Sequence, residues 1–477
     1  MARAKMITMD QKEEDLIHDM SIKCLNEIGV CIHSEKVLKM LEEKGAVVNY
    51  DSMIAKIPET MVNNALKIAP SQFSLYGRDP KHDIALPVDG PPKCSTSGLA
   101  VFISDLETGE ERKVTKDDLA KFIRLSDALE GIGYVWTSLT LSDVPSLVHG
   151  AHEVWITLQN TTKHVTSVTA QSAQDALMQI ELAALVAGGK ENLKKKPILS
   201  VVVCPVAPLT FEKGAVEAQV EFAIAGVPIS SMSMSMGGIS APVTAAGMIS
   251  NNNTENLASL VITQTASPGA PHLYTVESTP MEMATAGVNY RAPELPFISN
   301  SGAQMARRYQ LPCETGCFGG SDSTIGMPKS YCETQTTSLS VMGTDLVTGM
   351  GGVNNALTNS YEQLVIDAYL WDCYQSFLKT YEITEEKVAL DVVKEVGHGK
   401  DFLQHDHTFT NFRNELTLWD KKKLAMQTTL SDNMVPEAKA IAKDLIKNHV
   451  VPALDSKILD QGQAILDEYD KLVISEQ

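Results

Sequence analysis

The sequence predicts a (β/α)8 barrel of the TIM type, with a helical appendage before it and a helical wrap after it. Three observations predict this class. From about Lys93 to Tyr381, short apolar or β-branched runs alternate with helix-length segments, the rhythm of repeated βα units. Eight such runs, with crossovers over roughly 290 residues, fit a closed barrel better than a doubly wound sheet. The chain has 477 residues, 44% of them hydrophobic and 21% charged, so it can bury a large core.

Residues 1–92 read as the appendage. Ser34 caps a helix with Val37, Leu38 and Leu41 on one face and Gly45 at its end, and Pro58 opens a second with Met61, Ala65, Leu66 and Ile68. Phe73 to Arg78 then alternates as a short strand does. Residues 93–381 form the barrel. Its strands are expected at Cys94–Ala100, Gly133–Leu141, Val165–Ala170, Ile198–Cys204, Pro228–Met236, His272–Glu277, Cys313–Gly319 and Leu346–Met350. Thr115 caps a helix with Leu119, Phe122, Ile123 and Leu125 on one side. Further helices are expected at Ala173–Ala187, Phe211–Ala225, Asn256–Thr265, Gly302–Gln310, Thr334–Met342 and Tyr361–Thr380. Residues 382–477 hold three more helical patterns around one polar segment and are expected to pack on the barrel.

Charge narrows the function. Lys and Arg total 40 against 59 Asp and Glu, a formal charge of -19, which argues against a nucleic-acid partner or a polybasic membrane patch. The longest weakly polar stretch, 198–250, is cut by Pro205, Pro208, Glu212, Lys213, Glu217 and Pro228, so no bilayer span is expected. Met1 to Asp10 lacks the apolar run of a secretory signal. The eight cysteines are scattered without zinc-ribbon or compact disulfide spacing, which suits a reducing compartment and a cytoplasmic location.

On a barrel of this class the reactive residues sit just after the strands. Those loops are rich in small and neutral residues: Ser231 to Gly238 with Ser233 and Gly237, Gly319 to Ser323 with Gly320 and Ser321, and Gly349 to Asn355 with Gly351 and Asn354. None reads as a phosphate-binding loop or a dinucleotide fingerprint; small residues also let a flat, bulky cofactor or a partner's surface approach the backbone. The main ionisable residues at strand ends are Glu277 and Asp322, the catalytic candidates. Tyr134, Trp136, Tyr274, Phe318 and Tyr361 lie on or near strand ends, and such ring faces attract ammonium groups as readily as they fill cores. Gly397 to Thr408 carries His398, His405 and His407. A metal-dependent barrel enzyme using that segment is one alternative, although its spacing matches no helix-borne zinc motif. No Gly-x-Ser-x-Gly elbow is present.

The run from Arg291-Ala292-Pro293-Glu294 through Pro312, the Gly319–Ser323 loop, Gly349-Met350-Gly351 with Tyr361 to Asp367, and Phe402-Leu403 with His405, His407 and Thr408 resemble the trimethylamine methyltransferase family over nearly the whole chain. The resemblance implies a barrel enzyme that moves a methyl group from a methylated amine to the cobalt of a corrinoid (cobalamin) carried by a partner protein. It also implies a homo-oligomer and no intrinsic metal. Archaeal trimethylamine enzymes of that family carry pyrrolysine near the position of the Gly319–Tyr331 loop. This chain is written throughout in ordinary residues, so it resembles the branch that demethylates quaternary amines such as glycine betaine, proline betaine or carnitine. The five rings would then form the cage, and Arg291, His405 and His407 would meet a betaine's carboxylate. A module that binds a methylated amine or a corrinoid protein without turnover is the remaining alternative.

Overall fold

Eight short parallel strands, buried on both faces, close on themselves here, which covers one face with the barrel interior, leaves the other to the helices and removes the free edges. The computed structural model describes residues 5–168, 170–318, 320, 324–326, 330, 337–416 and 434–475. The strands are β1 (Lys93–Thr96), β2 (Val135–Trp136), β3 (Val165–Ser167), β4 (Leu199–Val203), β5 (Ile229–Ser231), β6 (His272–Val276), β7 (Cys313–Gly316) and β8 (Leu346–Met350). They form one parallel sheet in the order 1-8-7-6-5-4-3-2. Closure between β1 and β2 is made by the Gly133 N–H donating to the Cys94 carbonyl at 2.8 Å and by a parallel bridge between Ala100 and Leu139. The Trp136 N–H completes the seam by donating to Thr96 Oγ1 at 3.1 Å. Every expected strand overlaps an observed one, β1 beginning one residue earlier than expected, and each observed strand ends sooner at its carboxyl end except β8, because the expected runs continue into the loops.

Helices cover the outside. Ala173–Ala187 falls as the spacing predicts, with Ser172 as N-cap and Gly188 in the left-handed region at its end. Thr115 and Asp118 form a capping box on the helix Lys116–Ala128. Three helices differ from expectation, one of them Leu295–Arg308, which begins well before the expected Gly302. His149–Asn160 was not anticipated: it has no side-chain cap and is buried almost all round, so it lacks the one-sided apolar stripe that reveals a surface helix. Ala245–Ala266 begins a full three turns before the expected Asn256, because Asn251-Asn252-Asn253-Thr254 reads as turn chemistry in sequence. In the fold, Asn252 and Asn256 donate to the Thr275 carbonyl and Asn253 donates to Ser21.

The appendage closes the amino end of the barrel. A hairpin of Phe73–Leu75 and Ile84–Leu86 brings Leu75, Ile84, Leu86 and Val88 against Tyr134, Val202, Leu273 and Leu346 inside the barrel. Its first helix, Gln11–Glu27, shares a core with Ala245–Ala266 and Leu295–Arg308. At the other end of the chain, Met434–Asn448 packs on Tyr361–Phe377, and Ser456–Ser475 packs on Ala173–Ala187. Between them, residues 381–416 hold short helices that expose Ile383, Val388, Leu390, Leu403 and Phe409. No helix among the described residues is long and apolar enough to cross a membrane.

Gly462 fixes the last helix to the barrel layer, since a Cβ there would stand 2.2 Å from the Trp155 ring. Gly462→Leu is therefore expected to cost about 1–3 kcal/mol of stability by overpacking. The check is a lowered denaturation midpoint together with faster proteolysis between Val450 and Asp455.

Candidate active site

Alternation along the strands chooses what faces the barrel interior. Tyr134, Trp136, Val168, Val202, Met232, Leu273 and Leu346 meet there. Beneath them lies a polar layer in which His164 Nε2 is 2.8 Å from Ser200 Oγ and Nδ1 is 3.0 Å from the Tyr76 carbonyl. Burial depresses the His164 imidazole to about 4, so it is neutral. The interior thus opens toward its carboxyl end through an apolar and aromatic collar.

Two carboxyl groups stack along the inner face of β7. Glu314 accepts hydrogen bonds from the Tyr134 hydroxyl at 2.6 Å and from the Ser230 hydroxyl. Burial raises its pKa against the pull of those donors, and the Trp136 indole N–H lies toward it without closing to a full hydrogen bond. Continuing the register Thr275–Glu314 and Val276–Thr315 places Glu277 beside Gly316. The Glu277 carboxyl fills the space that a side chain at 316 would take: a Cβ there would lie 1.6 Å from Oε2. It therefore sits one strand repeat above Glu314, toward the mouth. Its Oε2 is buried and has no hydrogen-bond partner, while the residue as a whole keeps some accessible surface. Burial first, and the Glu314 carboxyl second, push Glu277 up to about 8, so it is largely protonated at neutral pH.

Among the described residues, no positive charge acts on this carboxyl. Burial first, and then Glu277, Glu255 and Glu314, push Cys204, just past β4, up to about 12, so it is an inert thiol. Tyr290, on the loop after β6, is raised by burial and then by Glu277. Glu255 is held by Ser233 Oγ at 2.6 Å and by the Leu209 N–H at 2.9 Å, and burial keeps it raised as well. Such a site holds a neutral acid beside a ring face. It is suited to binding a cation without pairing it tightly and to giving up a proton. The loops around the mouth expose Leu99, Val206, Ile239, Met283 and Leu357, which together form an apolar rim drawn from five βα connections.

The structure sorts the residues singled out in sequence. Trp136, Tyr134 and Glu277 share the barrel interior and its mouth. Tyr274 points outward, donating to Asn253 Oδ1 at 3.0 Å and packing near Tyr309. Phe318 packs outward on Trp371 and Tyr374. Tyr361 lies against Phe122, with its hydroxyl near Asp118. These three rings fill the helix layer and cannot belong to a cage at the mouth; a strand's alternation sends neighbouring rings to opposite faces. His405 accepts from the His407 N–H at 3.0 Å as an N-cap, on a helix with no buried residue. Both histidines therefore serve that exposed segment rather than the mouth. Among the described residues, no three His, Cys, Asp or Glu side chains gather as a metal site would require. Arg291 is exposed on the loop after β6, one residue beyond Tyr290.

The expected loop residues divide similarly. Ser233 is buried on Glu255, and Gly237 packs against Met248. The Gly351 N–H donates to Asp367 at 2.8 Å. Asn354, with Asn355 and Ala356, forms a left-handed turn, and Asn355 donates to the Gly320 carbonyl at 2.7 Å. Asp322, Ser321 and Cys332 lie outside the described residues. Sequence reasoning missed Glu314, Gly316, Cys204 and Tyr290. A signal for Glu314 existed: a lone acid inside Cys313-Glu314-Thr315-Gly316, a strand with both faces buried, must be partnered or functional.

Comparison with known proteins agrees with this geometry. The model of the family described as trimethylamine methyltransferase (MTTB) matches residues 2–469. A protein of Desulfitobacterium hafniense named trimethylamine methyltransferase MttB is 30% identical over 95% of this chain and 92% of its own length. Another, named glycine betaine methyltransferase, from strain Y51 of that species, is 27% identical over 99% of this chain and 98% of its own. The crystal structure of the monomethylamine methyltransferase of Methanosarcina barkeri superposes with a TM-score of 0.50 at 12% identity, over 94% of this chain and 89% of that one. That last likeness supports the fold.

Tyr274→Phe separates the helix layer from the mouth. Losing the hydrogen bond to Asn253 is expected to cost about 1 kcal/mol of stability, with no change in amine affinity. A denaturation curve and a binding titration of the same variant check both halves.

Proposed function

The chain belongs to the trimethylamine methyltransferase family, and on that premise we propose that it takes a methyl group from a quaternary amine of the betaine class and passes it to the reduced corrinoid of a partner protein. The observation that carries this reading is the stack of Glu277 above Glu314, the carboxyl toward which the Trp136 indole lies; burial and Glu314 set the acidity of Glu277, and no cationic side chain among the described residues acts on it. A permanent cation needs a ring face and dipoles to replace its water, and a fully ionised partner would hold it too tightly as its charge disappears. The relative named glycine betaine methyltransferase supports a substrate of this kind.

The work left to the protein is small in number of groups and strict in geometry. The reduced corrinoid supplies the electron pair that takes the methyl carbon. Trp136 and the apolar collar orient the ammonium, and exclusion of water at the mouth keeps that orientation productive. Glu314, fixed by Tyr134 and Ser230, holds the floor of the site. Arg291 is our choice for a betaine's carboxylate, because it follows Tyr290 on the loop that borders the mouth. The apolar rim of Leu99, Val206, Ile239, Met283 and Leu357 is of the kind that marks a docking surface, and we assign it to the corrinoid protein. The free thiols of Cys24, Cys31, Cys94, Cys204, Cys313 and Cys317 support a cytoplasmic setting. The exposed side chains of residues 381–416 support a homo-oligomer.

Incubating the protein with a reduced corrinoid protein and, in turn, glycine betaine, proline betaine, carnitine and γ-butyrobetaine tests the reaction. One of them is expected to give the spectral change of cobalt methylation together with the matching tertiary amine. Silence with all four would remove the reading. Trp136→Leu is expected to raise KM for that amine by roughly 2–30-fold, the range of one cation–π contact of about 0.5–2 kcal/mol, with the fold intact by circular dichroism.

A further inference from the structure

Loss of a methyl group turns a permanent cation into a tertiary amine with a free lone pair. A basic nitrogen appearing in a water-poor site needs a proton before it can leave as the hydrated ammonium ion. The structure assigns that proton to one group: we infer that the Glu277 carboxyl, standing over Gly316 at the barrel mouth, donates its proton to the tertiary amine product. This deepens the function proposed above and rests on it.

The geometry leaves Glu277 free for the task. Its Oε2 has no partner among the described residues, so an O–H there is not spent on any of their acceptors. Gly316 is what makes the position available, since any side chain at that residue would expel the carboxyl. Glu314, the other carboxyl of the pair, has both oxygens engaged by Tyr134 and Ser230 and cannot take its place. The groups that face Glu277 from neighbouring elements are Glu314 on β7, Cys204 after β4 and Tyr290 on the loop after β6. None carries positive charge, so none of these described groups favours early ionisation. Burial and Glu314 keep the carboxyl protonated up to about pH 8.

The step balances simply. The nitrogen–carbon bond breaks with its electron pair left on nitrogen, and the methyl carbon bonds to the corrinoid cobalt, which gives up two electrons. The Glu277 O–H bond then breaks as a new N–H bond forms, and a tertiary ammonium departs from a carboxylate. Water at the mouth returns the proton to Glu277 before the next amine binds.

The test compares wild type with Glu277→Gln and Glu277→Asp, each with the partner corrinoid protein and the accepted quaternary amine. Steady-state kcat is measured from pH 6 to pH 10, alongside the rate of cobalt methylation in the first turnover. Wild-type kcat is expected to fall as pH rises through about 8, when the acid has lost its proton. Glu277→Gln is expected to lower kcat on the order of a hundredfold, the lower range of general acid catalysis, to lose the descending limb, and to slow the first methylation far less. Glu277→Asp should recover part of kcat and the limb. An unchanged kcat and pH profile in Glu277→Gln would overturn the inference. So would a first-turnover loss as large as the loss in kcat, since Glu277 would then act on methyl transfer or binding. Absence of methylation by wild type with every quaternary amine would instead remove the underlying function.

Discussion

The space above Gly316 is the constraint around which the site is organised. A residue with any side chain there would collide with the Glu277 carboxyl, and without that vacancy the mouth would lose an acid whose Oε2 has no partner among the described residues. The register between β6 and β7 sets the arrangement, aligning Thr275 with Glu314 and so Glu277 with Gly316. A slip of one residue in either strand would turn that strand's acid away from the interior, because side chains alternate faces along a strand. Barrel closure, strand register and the protonation of one carboxyl are thus one problem.

The interior meets that problem by neutralising its polar groups rather than pairing charges. His164 is neutral, Glu314 is held between hydroxyl donors, and Cys204 is a thiol. A buried ion without a partner costs several kcal/mol, so His164 and Cys204 keep the uncharged form, and burial pushes Glu277 and Glu314 in the same direction. The consequence is a cavity wall that carries little fixed charge beneath a rim of exposed apolar side chains. That combination suits a substrate that brings its own permanent charge and loses it in the reaction, and a partner that must approach, react and leave.

Much of the fold was legible in the sequence because the signals were local. Leu346–Met350 and Ala173–Ala187 fall where alternation and capping place them, since a strand's apolar run and a helix's N-cap Ser172 act within a few residues. Legibility failed where burial was complete. The helices His149–Asn160 and Ala245–Ala266 bury polar residues on all sides, and their true extent depends on partners such as Ser21 and Thr275, which lie far away in sequence. The site was read more coarsely. Glu277 and Trp136 were visible as an acid and a ring at strand ends, yet Tyr274, Phe318 and Tyr361 looked equivalent to Trp136 and face the helix layer instead.

By itself the sequence determined the eight-fold βα rhythm, the surplus of negative charge, the neutral composition of the loops after the strands and the likeness to a methylamine enzyme family. These follow from composition and from patterns shorter than one βα unit. Only the tertiary structure decided which rings line the barrel, that Glu314 lies beneath Glu277, and that a glycine on one strand makes room for an acid on the next. Each of these depends on the lateral register of strands some 40 residues apart, and nothing within a single segment encodes which face of its neighbour it will meet.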